Sequence, residues 1–455
     1  MTTTDRHGKP VQVERLNLAG LPGAKPLLYN RWPLTLARTA TLAGFLFTIA
    51  AGIFGPVAGS HNFAIVFVWI AWWTALKLVF IPLGGRSWCS VCPIPLPGEW
   101  LQQGGLLRAG PPRFGLKRRW PRALKGTWMQ SGAFLLIGLF SAVTLTDARV
   151  TAWILLGLFG LATVLSLLYE RRAFCTSLCP IGGFTGIYAR TAPVEVRVID
   201  QEVCLKHGEK TCYQACAWNL YPVAQHDSAA CGLCMECLRA CPHDNLALNL
   251  RPFLADLAQE RPTSRLDEAF LALVMLGSAL AFSAVFTGPW GALKNAAYAI
   301  GSLPWLAYGL GFLMLNLLLL PGLFRLAVWA AGYLAGERIP WRKAAARWGE
   351  TLLPLGLAAW IAFTISFAFP KFNLVLGVLS DPLGWGWNLL GLNGLPASPD
   401  ISAFSAFLQV LVVLGGLFLS SRTARKLAGA RQAAAYPILA FCLAFSLAMV
   451  WLLVG

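Results

Sequence analysis

Long apolar stretches recur along this chain and constrain its fold more than any other feature. Hydrophobic residues make up 57% of the sequence and charged residues 13%, a composition outside the usual range of soluble domains. The sequence therefore predicts a polytopic α-helical membrane protein with about nine transmembrane helices. The predicted helices are Thr39–Val57, Phe63–Leu83, Trp128–Leu145, Val150–Leu168, Ala269–Phe286, Leu303–Leu320, Leu352–Phe369, Phe404–Leu419 and Tyr436–Val454.

The distribution of charge predicts the orientation of these helices. The loop between the second and third helices is strongly basic and carries a single acid, Glu99, whereas the loops on the opposite side hold only Arg149, Lys294 and Lys371, balanced by acids. The positive-inside rule then places the N-terminus in the cytoplasm and the protein in the inner (cytoplasmic) membrane of a bacterium. The net charge of +17 follows from this topology, so membrane lipid is an expected partner and nucleic acid is not.

One charged residue falls inside a predicted span. Lys77 lies within the second helix, and a lysine in this position is expected to extend its amine to the cytoplasmic edge of the membrane. Because intramembrane charges are otherwise nearly absent, the sequence does not favour ion pumping.

Four segments follow from the alternation of apolar and polar stretches. They are a cytoplasmic N-terminal tail (1–35), a four-helix membrane unit (36–190), a soluble cytoplasmic domain (191–262) and a five-helix membrane unit (263–455).

The soluble domain carries the spacing of bacterial ferredoxins. Its second cysteine block has two residues between successive thiols, then three, and ends in Cys241-Pro242. This run holds iron–sulfur clusters, and its fourth cysteine ligates the neighbouring cluster. The domain is therefore predicted to be an inserted α+β, two-cluster ferredoxin-like domain. Its cysteines are Cys204, Cys212 and Cys216 in the first block and Cys231, Cys234, Cys237 and Cys241 in the second.

In two-cluster ferredoxins, the last cysteine of each block ligates the cluster of the other block, and this rule assigns the ligands. Cys216, Cys231, Cys234 and Cys237 are predicted to bind one [4Fe–4S] cluster. The other set contains only Cys204, Cys212 and Cys241, while His207 follows Cys204 with two residues between them. Three interpretations remain open for this set: a [3Fe–4S] cluster on three thiolates, a [4Fe–4S] cluster completed by the His207 imidazole, or a degenerate block without a cluster.

A weak internal repeat supplies four further cysteines. Each of two predicted helical hairpins is followed by arginine, an aromatic residue, a close cysteine pair and proline. The pairs Cys89/Cys92 and Cys175/Cys179 are thereby predicted to meet at the cytoplasmic membrane face, where four thiolates could hold a third iron–sulfur cluster. The alternative is that these thiols are small buried hydrophobes.

Three arginines accompany these pairs: Arg86, Arg171 and Arg172. They are candidate cofactor-binding residues that would stabilise an anionic cluster or an anionic semiquinone. The alternative is an anchoring role at the membrane surface. No catalytic residue is predicted.

Haem and nucleotide cofactors are not expected. None of the histidines lies within a predicted helix, and the sequence contains neither a Cys-x-x-Cys-His motif nor a nucleotide-binding glycine fingerprint. Bis-histidine haem, c-type haem and direct oxidation of NADH are therefore disfavoured.

Residues 36–250 resemble the NapH/NosR/CcoG group of membrane-bound polyferredoxins. The matching segments are Arg86-Ser87-Trp88-Cys89-Ser90-Val91-Cys92-Pro93, Cys175-Thr176-Ser177-Leu178-Cys179-Pro180-Ile181-Gly182 and the block that ends in Cys241-Pro242. The resemblance implies four helices, a cytoplasmic two-cluster module and electron transfer linked to the quinol pool. The sequence departs from the group in its first pair, which is one residue shorter, and in its five C-terminal helices.

Our main functional hypothesis is a membrane-bound iron–sulfur electron-transfer subunit. It would exchange electrons, in a direction left open, between the quinone/quinol pool and a protein redox partner in a larger redox complex. An alternative, suggested by CcoG-like members of the group, is an accessory electron donor for the maturation of a metalloenzyme, such as one that contains copper. A third is a structural anchor of a redox complex.

Overall fold

The structure, a computed structural model, describes residues 3–4, 10–11, 14–57, 59–107, 111–258, 265–336, 339–391 and 402–454. Within these residues, eight helices are long and apolar enough to cross a membrane, which indicates a multi-pass membrane protein. They are Trp32–Phe54, Phe63–Gly84, Ala148–Leu168, Leu266–Phe286, Leu303–Ala335, Trp341–Lys371, Phe404–Ala428 and Gln432–Val454.

Several predicted spans differ in extent from the helices of the structure: the first begins at Trp32 instead of Thr39, the seventh begins at Trp341 instead of Leu352, and the eighth ends at Ala428 instead of Leu419. The third is interrupted at Phe140, which leaves helices Trp128–Leu139 and Ser141–Thr144. The sixth continues to Ala335 because a π-helical turn, Leu315–Leu319, precedes the proline that would otherwise end it. The total of nine transmembrane helices stays a prediction.

The chain divides into two compact units. The first comprises residues 1–47, 79–130 and 155–262, and the second comprises residues 48–78, 131–154 and 263–455. The first unit contains all of the cysteines except Cys442, so every candidate cluster ligand belongs to it.

A small antiparallel sheet lies in the first unit. Strand β4 (Val194–Val198) pairs with β5 (Leu246–Leu250), and β3 (Leu16–Asn17) pairs with the other edge of β5. The N-terminal segment, expected only as a tail, therefore supplies a strand to this sheet. Two further strands of two residues each, β1 (Thr3–Thr4) and β2 (Pro10–Val11), pair with one another.

A buried ion-pair network fastens the sheet to the segment that follows it. Arg251, at the end of β5, lies 2.7 Å from carboxylate oxygens of both Glu195 on β4 and Asp256. Arg197 also contacts both carboxylates. Burial favours the neutral acid, but these arginines hold the pKa of Asp256 below its usual value. Each charge is thus compensated within the protein.

The second unit contains the intramembrane lysine. Lys77 is fully buried, so the expectation that it extends to the membrane edge is wrong. Its Nζ lies 4.9 Å from the ring centre of Trp73, 5.2 Å from that of Trp360 and 5.3 Å from that of Phe363. Three aromatic faces therefore replace water around the amine.

Replacement of Arg251 should destabilise the part of the first unit that contains the sheet. In Arg251→Met, Glu195 and Asp256 keep their buried charges but lose one of the two arginines that they share and retain only Arg197, so we expect the free energy of unfolding to fall by about 3 kcal/mol. The change would be measured as a lower urea concentration at which visible iron–sulfur absorption is lost. Lys206→Met, which removes an exposed ion pair with Glu202, should leave this midpoint almost unchanged. Equal midpoints for both variants would contradict the role of the network.

Candidate iron–sulfur centres

The first cysteine pair lies on a short helix just after a membrane span. Cys89 is buried within helix Trp88–Val91, and its Sγ lies 3.4 Å from Oγ1 of Thr185. Cys92 ends the helix in an extended conformation, as expected for a residue that precedes proline, here Pro93. The proline of the motif therefore turns the chain directly after the second thiol.

The second pair straddles a helix boundary. Cys175 belongs to helix Ala173–Ser177, and Cys179 caps helix Pro180–Tyr188, where its Sγ accepts a hydrogen bond of 3.3 Å from the backbone N–H of Gly182. A Cβ atom at Gly182 would lie 2.4 Å from the carbonyl oxygen of Cys175. Glycine at this position thus allows the two cysteine segments to approach each other closely.

The structure brings the two pairs together. Burial raises the pKa of the Cys175 thiol well above its usual value, and the nearby thiols of Cys179, Cys92 and Cys89 raise it further. Burial likewise raises the pKa of Cys92, and it raises that of Cys179 to about 11. Four thiols that lie this close together can act as one ligand set, and metal binding must displace thiol protons.

Two of the predicted arginines donate hydrogen bonds to backbone carbonyls of cysteine-bearing segments. Arg86 donates to the carbonyl of Cys175 at 2.9 Å and to that of Ala229 at 3.0 Å. Arg171 donates to the carbonyl of Cys216 at 2.7 Å. Both arginines therefore connect the membrane-proximal segments to the ferredoxin-like part of the first unit.

The third arginine holds the first cysteine pair in place. Arg172 donates to the carbonyl of Cys89 and, at 2.7 Å, to Glu99. Arg38 lies 3.7 Å from the same carboxylate. Burial opposes ionisation of Glu99, but the two arginines outweigh it and keep the pKa of Glu99 below its usual value. Because Arg172 is 2% exposed, it is not placed to anchor the chain at a membrane surface.

The second ferredoxin block forms a tight loop. Leu233 and Met235, which separate Cys231, Cys234 and Cys237, have φ angles of +53° and +61°. Such left-handed backbone is uncommon for residues other than glycine, and it clusters at functional sites. The left-handed conformations of Leu233 and Met235 bend the loop around its cysteines, as expected for a chain wrapped around a cluster.

Cys216 joins this loop from the first block. Burial raises the pKa of Cys234 to about 12, and the nearby thiol of Cys216 raises it further; Cys216 acts on Cys231 in the same direction. The Sγ of Cys216 also accepts a hydrogen bond of 3.4 Å from the backbone N–H of Leu220. Cys216 thus lies near Cys231 and Cys234, two of the thiols predicted to share its cluster.

The remaining three thiols of the module line one small cavity together with His207. The cavity is lined by Cys204, His207, Cys212, Tyr221, Pro222, Val223, Cys241, Pro242 and Leu246. Asn245 donates hydrogen bonds to two of these sulfurs: its backbone N–H to Cys241 at 3.4 Å and its side-chain amide to Cys204 at 3.3 Å. The Nδ1 atom of His207 is buried and bonded to no described residue. These features fit a cluster held by three thiolates and one imidazole.

His207 also belongs to a second group, which was not predicted from the sequence. Ligand atoms of His207, Glu209 and His243 lie within 4.8 Å of one another, and the two histidine rings are 4.6 Å apart. Only the tertiary structure shows this group, because His243 lies far from the other two residues in sequence.

An indole that was not predicted as functional lies among the thiols. Trp218 packs in one buried core with cysteines of the membrane-proximal pairs and of the ferredoxin block. Its ring centre is 4.4 Å from the guanidinium carbon of Arg86 and 5.1 Å from that of Arg172. A Cβ atom on Gly232 would fall 2.2 Å from the indole Nε1, and this buried N–H donates to no described residue.

The 4Fe-4S binding domain family matches two segments of the chain, residues 65–118 and 151–196. These segments contain both membrane-proximal pairs, Cys89/Cys92 and Cys175/Cys179, whereas the ferredoxin block lies outside them. The match therefore supports at least one [4Fe–4S] cluster in the protein.

Two curated relatives are similar to part of the chain. The methylamine utilization ferredoxin-type protein MauN of Methylorubrum extorquens is 30% identical over 156 residues, which cover 31% of this chain and 50% of that protein. MauN of Paracoccus denitrificans is 28% identical over 156 residues, which cover 31% and 51%. The chain thus spans about half the length of these relatives. No solved structure matches it. Together with the apolar helices, these similarities support a membrane-associated iron–sulfur protein of the ferredoxin type.

Replacement of His207 should reveal whether its imidazole ligates iron. We expect His207→Ala to convert a [4Fe–4S] cluster to the [3Fe–4S] form, because only the three thiolates of Cys204, Cys212 and Cys241 remain. The oxidised variant should then gain a nearly isotropic EPR signal that the wild type lacks. His243→Ala is the matched control, since His243 contacts the same ring but does not line the cavity. The same [3Fe–4S] signal in wild type and both variants would rule out ligation by His207.

Proposed function

We propose that this protein is a membrane-bound iron–sulfur electron-transfer subunit. It exchanges electrons between the quinone/quinol pool and a protein redox partner in a larger redox complex. Two clusters lie in the ferredoxin-like part of the first unit and a third lies at the membrane-proximal cysteines. The name of the MauN relatives, ferredoxin-type proteins, agrees with such a role.

One observation carries this proposal. Cys89 and Cys175 of the membrane-proximal set share a buried core with Cys216 and Cys234 of the ferredoxin block. Clusters on these two sets would therefore be close neighbours with no solvent layer between them. This arrangement gives electrons a direct route between the membrane-proximal site and the soluble domain.

The cysteine thiols and the N–H donors around them suit iron–sulfur clusters. Buried thiols supply the ligands, and nearby backbone and amide N–H groups already donate to several sulfurs. Iron–sulfur clusters supply one-electron transfer, and hydrogen bonds to their sulfurs and exclusion of solvent set their potentials. Backbone carbonyls and Glu99 accept hydrogen bonds from Arg86, Arg171 and Arg172 and hold these arginines beside the thiols. The positive charges of the arginines favour an anionic cluster there.

Reduction by quinol tests the proposal. Anaerobically purified protein in detergent is examined by EPR before and after addition of a menaquinol analogue. We expect the quinol to change the redox state of the clusters in wild-type protein. In Cys89→Ser, the ferredoxin-type clusters should remain but the quinol should no longer change them, and the iron content should fall by about four atoms per chain.

Cys442→Ser is the matched control, because Cys442 is buried alone in the last span. This variant should keep the wild-type iron content and the wild-type response to quinol. Loaded clusters in the wild type that do not respond to quinol would contradict exchange with the quinol pool. That result would favour a soluble donor that feeds electrons into the clusters.

Trp218 offers an independent test of the site. Its N–H lies against Gly232, between Cys231 and Cys234, and donates to no described residue, so we propose that it donates to a cluster sulfur. Such a hydrogen bond stabilises the more negative, reduced cluster. Trp218→Phe keeps an aromatic ring but removes the donor, so we expect a more negative midpoint potential in an EPR-monitored redox titration.

The control for Trp218 is Trp120→Phe, since the Trp120 indole donates to the carbonyl of Leu124 and lies outside the cysteine core. This variant should keep the wild-type potentials. Unchanged potentials in Trp218→Phe, with normal iron content, would exclude a hydrogen bond from the indole to the cluster.

A further inference from the structure

The second unit contains a cavity of about 610 Å³ that the electron-transfer role does not use. It lies where helix Leu320–Ala335 ends, against helix Trp341–Trp348 and the segment that joins the last two spans. Its volume is within the range of small-molecule sites, about 300–1,000 Å³.

The lining of the cavity combines positive charge with apolar residues. Three arginines line it, one from each of the three segments: Arg325, Arg347 and Arg431. Most of the other lining residues are apolar, among them Val328, Ala331, Ala345 and Ala434. Such a lining suits a molecule with an anionic head and an apolar body.

The arginines are held in place by local contacts. The guanidinium carbon of Arg325 lies 5.2 Å from the ring centre of Trp341, and Arg325 forms an ion pair with no described residue. Arg431 donates a hydrogen bond of 2.7 Å to the carbonyl of Ala335, and Arg347 donates to that of Leu427. A guanidinium has five N–H donors in a planar arrangement that favours phosphate.

Aromatic residues place the cavity at the level of lipid headgroups. Trp329 and Tyr333 line it, stack on each other with ring centres 6.1 Å apart, and are 67% and 78% exposed on an apolar helix. Exposed tryptophan and tyrosine at a helix end are typical of the membrane–water interface. Basic pockets between transmembrane helices at this level bind anionic lipid headgroups.

We propose that this cavity binds the phosphate headgroup of an anionic glycerophospholipid, with the apolar part of the lipid against Trp329 and Tyr333. The bound lipid links the ends of three segments of the second unit. The site is separate from the cysteine sets and does not depend on electron transfer.

Binding is measured by native mass spectrometry of the full chain released from nanodiscs with equal amounts of phosphatidylglycerol and phosphatidylcholine. The wild type should retain phosphatidylglycerol preferentially. Arg325→Gln combined with Arg431→Gln should weaken this binding about 25-fold, since each basic residue near a membrane surface contributes about a factor of five. The paired lysine variant, Arg325→Lys with Arg431→Lys, should recover most of the binding.

The matched control is Arg342→Gln combined with Arg422→Gln. It removes two exposed charges from neighbouring positions that do not line the cavity, and it should change the affinity less than twofold. Iron content and elution volume of every variant show that the chain has folded.

Two outcomes would overturn the proposal. One is equal retention of phosphatidylglycerol by the glutamine pair and by its control. The other is displacement of the retained lipid by inorganic phosphate alone, which would identify the cavity as a site for free phosphate.

Discussion

Hydrogen bonds from three buried or half-buried arginines to backbone carbonyls are the interactions on which the candidate centres depend. Arg86, Arg171 and Arg172 each reach from one cysteine-bearing segment to another, and Arg172 also pairs with Glu99. The planar guanidinium donates in several directions at once, so one side chain can fix the relative positions of two loops. Ligand sets drawn from distant parts of the chain need such connections.

Burial gives these centres their chemical character. Thiols removed from water resist ionisation, which is why the pKa values of Cys175, Cys179 and Cys234 are raised. Metal binding compensates for the free-energy cost of ionising buried thiols. Iron stabilises the thiolates, which the protein environment alone would not stabilise. The shared core around Trp218 also excludes solvent from the space between two ligand sets. Low dielectric and fixed positive charges are the protein's means of tuning a cluster potential.

The two units use cations in different ways. In the second unit Lys77 is surrounded by aromatic rings, and the cavity near the helix ends presents arginines beside stacked aromatic residues. Neither arrangement follows from the positive-inside pattern, which predicts only on which side of a membrane basic residues accumulate. The pattern is statistical, whereas a binding cavity requires three segments to place their guanidinium groups around a common space.

The sequence by itself determined the features that depend on local spacing. Apolar runs identified the membrane helices, and the spacing of the cysteines identified four groups of thiols. Helix periodicity and ligand spacing are properties of neighbouring residues, so one chain is enough to read them. The sequence did not show that helix Leu303–Ala335 continues through a π-turn, or that Leu16–Asn17 adds a strand to the sheet.

Only the tertiary structure decided which distant residues meet. It placed Trp218 beside two arginines and His243 beside His207. These contacts arise from packing between segments far apart in sequence, and packing depends on shape and burial, which spacing along the chain does not encode.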